Sequence, residues 1–242
     1  MEILHADPWL VAIGKPSGLF VHRTRLDPGA TSYAMQRLRD QLGMAVYPAH
    51  RLDRATSGAL LFALDTATHR QLSMAFEYGG VTKRYLAIVR GWPPDTLHID
   101  HPLRRMTDDG VILPDEGNAQ PSTTHLRTLA RVEIPIPVDR YPAARYSLVE
   151  LRPTTGRRHQ LRRHLKHVSH PIIGDTTYGK GTHNRMFREH FGSDRLLLHA
   201  VELVLAHPAD GVTLRVLAPP PANFATLATT LGLGAALAAA VT

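Results

Sequence analysis

The chain has 242 residues, no cysteine, 43% hydrophobic and 20% charged residues, and a formal net charge of +7. That length and balance suit a globular fold with a substantial core, and exclude a disulfide scaffold, a thiolate metal site and a disordered polymer. No apolar run reaches the ~18 residues that span a bilayer. Met1-Glu2-Ile3-Leu4-His5 lacks a basic segment followed by an apolar one, so no membrane partner and a cytoplasmic location are expected.

In chain order, residues 1–30 mix short apolar pieces with Gly and Pro, which predicts strands and turns. Met35, Leu38 and Leu42 space a helix over 31–42, capped by Thr31 or Ser32. The stretch His50-Arg51-Leu52-Asp53-Arg54-Ala55-Thr56-Ser57-Gly58 follows, then an apolar run at 59–63 that reads as a buried strand. A helix is predicted over 66–77 from Leu72 and Phe76, and a strand over 84–90. Residues 104–122 are polar, with Asp-Asp-Gly and Glu-Gly turns, and read as a surface loop or hairpin. A strand is expected at 146–151.

Residues 157–167 run Arg-Arg-His-Gln-Leu-Arg-Arg-His-Leu-Lys-His without an acid. As a helix they put Leu161, Leu165 and Val168 on a narrow apolar seam and Arg158, Arg162 and Lys166 on one cationic stripe. With the overall basic surplus, this cluster points to a polyanionic partner, RNA foremost. Strands are predicted at 196–199, 201–206 and 212–217, with 207–211 turning the last pair. An Ala/Leu-rich helix spans 223–240. Strands and helices do not alternate regularly, so the fold class is α+β.

Asp53, flanked by Arg51 and Arg54, is expected to stay ionised. That suits a nucleophile, a salt-bridge member or a metal ligand, and equally a structural turn acid. His159, His164, His167 and His170 lie close in sequence, but no H-E-x-x-H pattern occurs and the neighbouring cations oppose a divalent ion, so no metal is expected. There is no G-x-x-x-x-G-K-[ST] loop either; no cofactor is expected.

The nine residues around Asp53 resemble the aspartate motif of the RluA-type pseudouridine synthases. Other segments match in the family's order. Ile13-Gly14-Lys15-Pro16-Ser17-Gly18 is similar to the "NKPSG" segment, with Gly14 in place of Asn. Lys83-Arg84-Tyr85-Leu86-Ala87 is similar to its tyrosine strand. Thr155 to His164 and His170 to Asp175 match later motifs, and Leu196 to Ala200 completes the series. The matches span residues 1 to about 218.

The resemblance implies one catalytic domain over 1–242, beginning almost directly with the catalytic fold and built on a mixed, mostly antiparallel central sheet flanked by helices and loops. It implies conversion of uridine to pseudouridine with Asp53 as the catalytic carboxylate, Tyr85 covering the flipped base and reaching it through its hydroxyl, and Arg162 paired with Asp53. Arg51 would help replace the flipped nucleotide and Leu198 would line the base pocket. Arg158 and Lys166 are expected to meet RNA phosphates. Within the family, Met1-Glu2-Ile3-Leu4, Phe20-Val21-His22-Arg23 and His190-Phe191-Gly192 resemble the branch acting on uridine 65 of tRNA. Ribosomal RNA is the second expected partner, and a monomer is expected.

Two other classes stay open on residues alone. One is a silent RNA-binding protein on the same scaffold, which would be expected to lack Asp53, Tyr85 or Arg162. The other is a hydrolase pairing Asp53 with a second acid such as Glu150 or Asp175.

Overall fold

A computed structural model describes residues 1–22, 32–107 and 119–242. The run 10–13 and the run 59–63 are apolar at every position except for small alanines, which is the pattern of strands covered on both faces. They form β2 (Leu10–Lys15) and β4 (Ser57–Ala63), paired antiparallel from Leu10↔Ala63 to Lys15↔Gly58. Two helices cover them. On one face α1 (Ala34–Leu42) brings Leu38 to Val11, Ile13, Leu60 and Phe62. On the other, α2 (Thr66–Glu77) brings Leu72 to Leu10, Ala12 and Leu61. Burying each of these two leucines contributes about 1.5–3 kcal/mol.

β2 and β4 belong to a ten-stranded sheet. β1 (Glu2–Ala6) pairs with β2, and the short β3 (Tyr47–Pro48) pairs with β4. β5 (Thr82–Arg90), β10 (Ala144–Pro153), β9 (Thr123–Ile134) and β6 (Thr96–Asp100) continue the sheet antiparallel in that order. β11 (Leu198–Ala206) joins the two halves. It runs antiparallel to β5, and parallel to β4 only at His199↔Ser57 and Ala200↔Gly58. Beyond that it leaves β4 and pairs with β12 (Thr213–Leu217). The sheet is therefore mixed and mostly antiparallel, and it parts at its centre.

Gly58 makes the brief β4–β11 approach possible. Its φ is 120°, and a Cβ there would lie 2.1 Å from the Ala200 carbonyl oxygen. A side chain cannot share that space, so the glycine that ends the aspartate motif holds Asp53 beside the start of β11.

The right half of the sheet buries Leu86, Ile88, Leu126, Leu148 and Leu151 beneath α3 (Gln160–His167), α4 (Gly181–Phe191), α5 (Ala222–Thr230) and α6 (Gly234–Ala240). β7 (Leu103–Arg104) and β8 (Ala119–Gln120) pair antiparallel at the two ends of the segment read as a surface loop or hairpin.

Several expectations need correction. Residues 223–240 form two helices, because Gly232 at φ 79° ends α5 in a left-handed turn. The strands expected at 196–199 and 201–206 are one strand, β11, with a register shift between Ala200 and Glu202. In α1 the buried seam is Ala34 and Leu38, while Leu42 is exposed. Ser32 does not cap that helix; its hydroxyl accepts from Arg37 Nε at 2.5 Å. Thr31, Arg23 and the two turns inside 108–118 lie outside the described residues. β6, β9 and α4 are missing from the sequence-based expectations; in β6 Leu97 and Ile99 alternate with His98 and Asp100, and in β9 Leu126, Val132 and Ile134 alternate with Arg127, Arg131 and Glu133, a period-2 signal of half-buried strands.

Candidate active site

The loop carrying Asp53 has no regular structure, so something must fix it. The Lys15–Gly18 segment does this. Lys15 is 1% exposed. Its ammonium donates to the carbonyls of Pro16 (2.9 Å), Leu19 (2.8 Å) and Arg54 (3.1 Å). The Ser17 hydroxyl donates to Ala55 O at 2.6 Å, and Gly18 N donates to Arg54 O at 2.8 Å. On the other side, His50 stacks on Phe76 with centroids 4.2 Å apart, and its Nε2 accepts from Leu61 N at 3.1 Å. The Lys-Pro-Ser-Gly segment is thus a staple for the aspartate loop.

From the opposite side of the cleft comes α3. Its first residue is Gln160, so Arg158 precedes the helix and no continuous cationic stripe exists. Arg162 points inward and is 7% exposed. Its Nε and Nη2 donate to Asp175 Oδ2 (2.7 Å) and Oδ1 (2.9 Å), and its Nη1 donates to Asp53 Oδ2 at 3.2 Å. Burial alone would weaken the guanidinium's hold on its proton; the two carboxylates more than reverse this.

For Asp175, burial would raise the pKa. The hydrogen bonds and charge of Arg162, with the backbone N–H groups of Tyr178 and Thr177, outweigh it and hold the carboxyl below its ordinary range. Asp175 therefore anchors Arg162, and Arg162 orients Asp53.

His159 sits just before α3 in the left-handed region (φ 53°), with Nε2 3.8 Å from Asp53 Oδ1 and Nδ1 3.0 Å from the Tyr178 hydroxyl. Burial is the main influence on His159 and lowers its pKa; Asp53 opposes the shift. At neutral pH its approach to Asp53 is thus a dipolar contact rather than an ion pair. Gln160 locks the start of α3 to β9, donating to Thr123 O (2.9 Å) and Thr124 Oγ1 (3.1 Å).

Between these walls lies a cavity of about 370 Å³. Asp53, Tyr85, Arg162, Leu198 and Lys83 line it, with Arg51 and Arg158 also on its walls. Tyr85 and Lys83 share one face of β5, two residues apart. Burial and the Asp53 charge raise the Tyr85 pKa, so its phenol stays protonated. The Ser57 hydroxyl connects two further groups. Arg195 Nη2 donates to the Ser57 hydroxyl at 2.6 Å, which lies 2.8 Å from His199 Nδ1. His199 Nε2 is 2.8 Å from Ala218 O, an obligatory acceptor, so Nε2 carries the proton and Nδ1 accepts from Ser57.

Of the residues singled out in the sequence, Asp53, Tyr85, Arg162, Leu198, Arg51 and Arg158 meet around this one cavity. Lys166 does not line it. It is exposed, with its ammonium 5.9 Å from the Tyr178 ring. The two candidate second acids of a hydrolase are both engaged elsewhere. Asp175 is saturated by Arg162, while Glu150 is buried outside the cavity and pairs with Arg152 (2.9 Å), Arg127 (3.4 Å) and Arg84 (3.5 Å). Sequence reasoning gave no role to Lys15, Lys83, His159 or the Ser57–His199 pair. All of them are placed by contacts from distant chain positions, and the motifs containing them are the available signal.

Residues 10–167 match the family described as RNA pseudouridylate synthase. The tRNA pseudouridine synthase C of Vibrio cholerae serotype O1 is 48% identical over 210 residues, which cover 86% of this chain and 86% of the relative. The protein of that name from Salmonella typhimurium is 50% identical over 217 residues, covering 88% and 83%. Among solved structures, Human RNA Pseudouridylate Synthase Domain Containing 4 superposes with a TM-score of 0.71 at 28% identity, covering 96% of this chain and 93% of that one. Human RNA Pseudouridylate Synthase Domain Containing 1 gives 0.70 at 30% identity, covering 91% and 83%.

Proposed function

This chain belongs to the RNA pseudouridylate synthase family, and on that premise we propose that it isomerises one uridine of tRNA, uridine 65, with Asp53, Tyr85 and Arg162 as its catalytic residues. The observation that carries this reading is the chain Asp175–Arg162–Asp53, which aims one carboxylate into a cavity walled by Tyr85 and Leu198. The tRNA substrate is supported by the names of relatives about half identical over most of the chain.

A uridine inside folded RNA must leave its stack to reach Asp53. The flipped uracil stacks on the Tyr85 ring and packs on Leu198. Arg51, exposed at the rim, takes the vacated space in the RNA. Arg158 and Lys166 meet phosphates nearby. The carboxylate of Asp53 then stands beside the glycosidic bond, where it attacks the sugar or base, or removes a ribose proton. The protonated Tyr85 hydroxyl is a hydrogen-bonding partner for the base during loss of the C5 proton. In this reading one catalytic domain acts as a monomer in the cytoplasm, without metal or cofactor; the reaction neither gains nor loses electrons, so it calls for no redox cofactor.

The test is single-turnover conversion of a tRNA transcript by folded Asp53→Asn protein at saturating enzyme. Asn keeps the shape and removes the charge, so conversion should vanish while RNA binding survives. Residual conversion within ~10-fold of the wild-type rate would refute the role of Asp53, since a true general-base or nucleophile loss costs at least ~10². Mapping of the modified position in tRNA and in ribosomal RNA tests the substrate.

A further inference from the structure

We propose that Lys83 binds the uracil carbonyl edge and stabilises the negative charge that the base acquires when its glycosidic bond breaks. This deepens the site reading given above and rests on Asp53 and Tyr85 forming the base pocket.

Lys83 is 8% exposed and lines the cavity. Its ammonium makes one long hydrogen bond, 3.4 Å to Thr155 O. Among the described residues no carboxylate lies within ion-pair distance of it. A buried ammonium has three donors and a large desolvation cost, and such groups are normally paired. Lys15 shows the ordinary solution in this same protein, with three carbonyls at 2.8–3.1 Å. Arg162 is the other buried cation on the cavity wall, and it is committed to two carboxylates. Lys83 has spare donors facing the space that the base enters.

Position selects the base over a phosphate. Lys83 and Tyr85 project from the same face of β5 two residues apart, roughly 7 Å along the strand. A uracil stacked on the Tyr85 ring extends its carbonyl oxygens toward such a neighbour. Phosphates keep their water and stay at the rim, where the exposed Arg51 and half-buried Arg157 stand.

The chemistry needs such a cation. When the C1′–N1 bond breaks, its electron pair leaves with N1 and delocalises onto O2 and O4. C5 later supplies the pair for the new C1′–C5 bond, N1 takes up a proton and C5 loses one, so the balance closes without a co-reactant. If Asp53 instead attacks C6, the electron pair again moves to O4. A fixed ammonium at the carbonyl edge in a dry pocket lowers the barrier on either path.

The experiment uses the full-length protein, with wild-type conversion of the tRNA transcript establishing the underlying activity. Lys83→Met removes the charge and keeps the stem, so the fold should hold, as thermal unfolding checks; Lys83→Gln provides a polar second variant. Single-turnover conversion should fall about 10²–10³-fold with RNA affinity within about threefold of wild type. A transcript carrying 5-fluorouridine at the target makes the departing base a more stable anion, so glycosidic cleavage should lose severalfold less from the substitution. An equal deficit for uridine and 5-fluorouridine would overturn the assignment. So would a loss confined to RNA affinity with a shallower salt dependence, which would make Lys83 a phosphate contact. Asp53→Asn eliminates conversion of both substrates if the site itself is right, so failure of the site and failure of the Lys83 role give different results.

Discussion

Replacing Asp175 by Asn tests whether the site is held together by a buried ion pair. The Asp175 side chain is fully buried and that of Arg162 is 8% exposed, with two hydrogen bonds between them at 2.7 and 2.9 Å. Removing one partner of a buried pair costs roughly 3–5 kcal/mol. Asn keeps an oxygen for the backbone N–H groups of Thr177 and Tyr178, so the loss should lie near the lower end, about 3 kcal/mol.

The pH dependence follows from the lowered pKa of Asp175. A depressed carboxyl contributes stability that is fully present above its unfolded value of about 3.9 and is lost as pH falls through its folded value. The gap between wild type and Asp175→Asn should therefore be constant from neutral pH to about 5 and close below about 4. Denaturant unfolding across that range measures it. A gap below about 1 kcal/mol at neutral pH, or one that fails to narrow in acid, would refute the buried-pair account. Loss of the anchor should also let Arg162 drift and slow single-turnover conversion by about 10²-fold.

Tyr85→Phe should retain RNA affinity and lose about 10²–10⁴-fold in turnover; near wild-type turnover would leave only the ring with a task. Because its phenol is held protonated, activity should show no alkaline step from Tyr85 below about pH 10. Neutralising Arg158 and Lys166 together should weaken binding to all RNA sequences and flatten the salt dependence by one to two contacts; an unchanged slope of log affinity against log salt removes them from the interface. His199, 2% exposed, is pushed down to about 4, chiefly by burial. The folded state resists its protonation, so its contribution, about 3 kcal/mol, is lost as pH falls from about 6.5 toward 4. His199→Gln should show a flatter stability profile in that window, and an identical slope would count against a neutral buried histidine.

The elements whose pattern is local are legible in the residues. The unbroken apolar run at 59–63 specifies a buried strand, residues 1–30 specify strands and turns without their bounds, and Leu72 four residues before Phe76 specifies α2. The order of the motifs was enough to bring Asp53, Tyr85, Arg162 and Leu198 to attention together. What their charges do depends on the fold. Spacing alone puts Arg51 and Arg54 beside Asp53; the pairing with Arg162, 109 residues away, follows from the family resemblance, and the fold makes it at 3.2 Å. Helical spacing grouped Arg158, Arg162 and Lys166, but the helix starts after the first, turns the second inward and leaves the third in solvent. Periodicity reports which residues share a face, not what that face meets. Burial, ion pairing and the spare donors of Lys83 arise where β4 and β11 touch at two residue pairs and part, a contact allowed by one glycine and set by packing across the whole sheet.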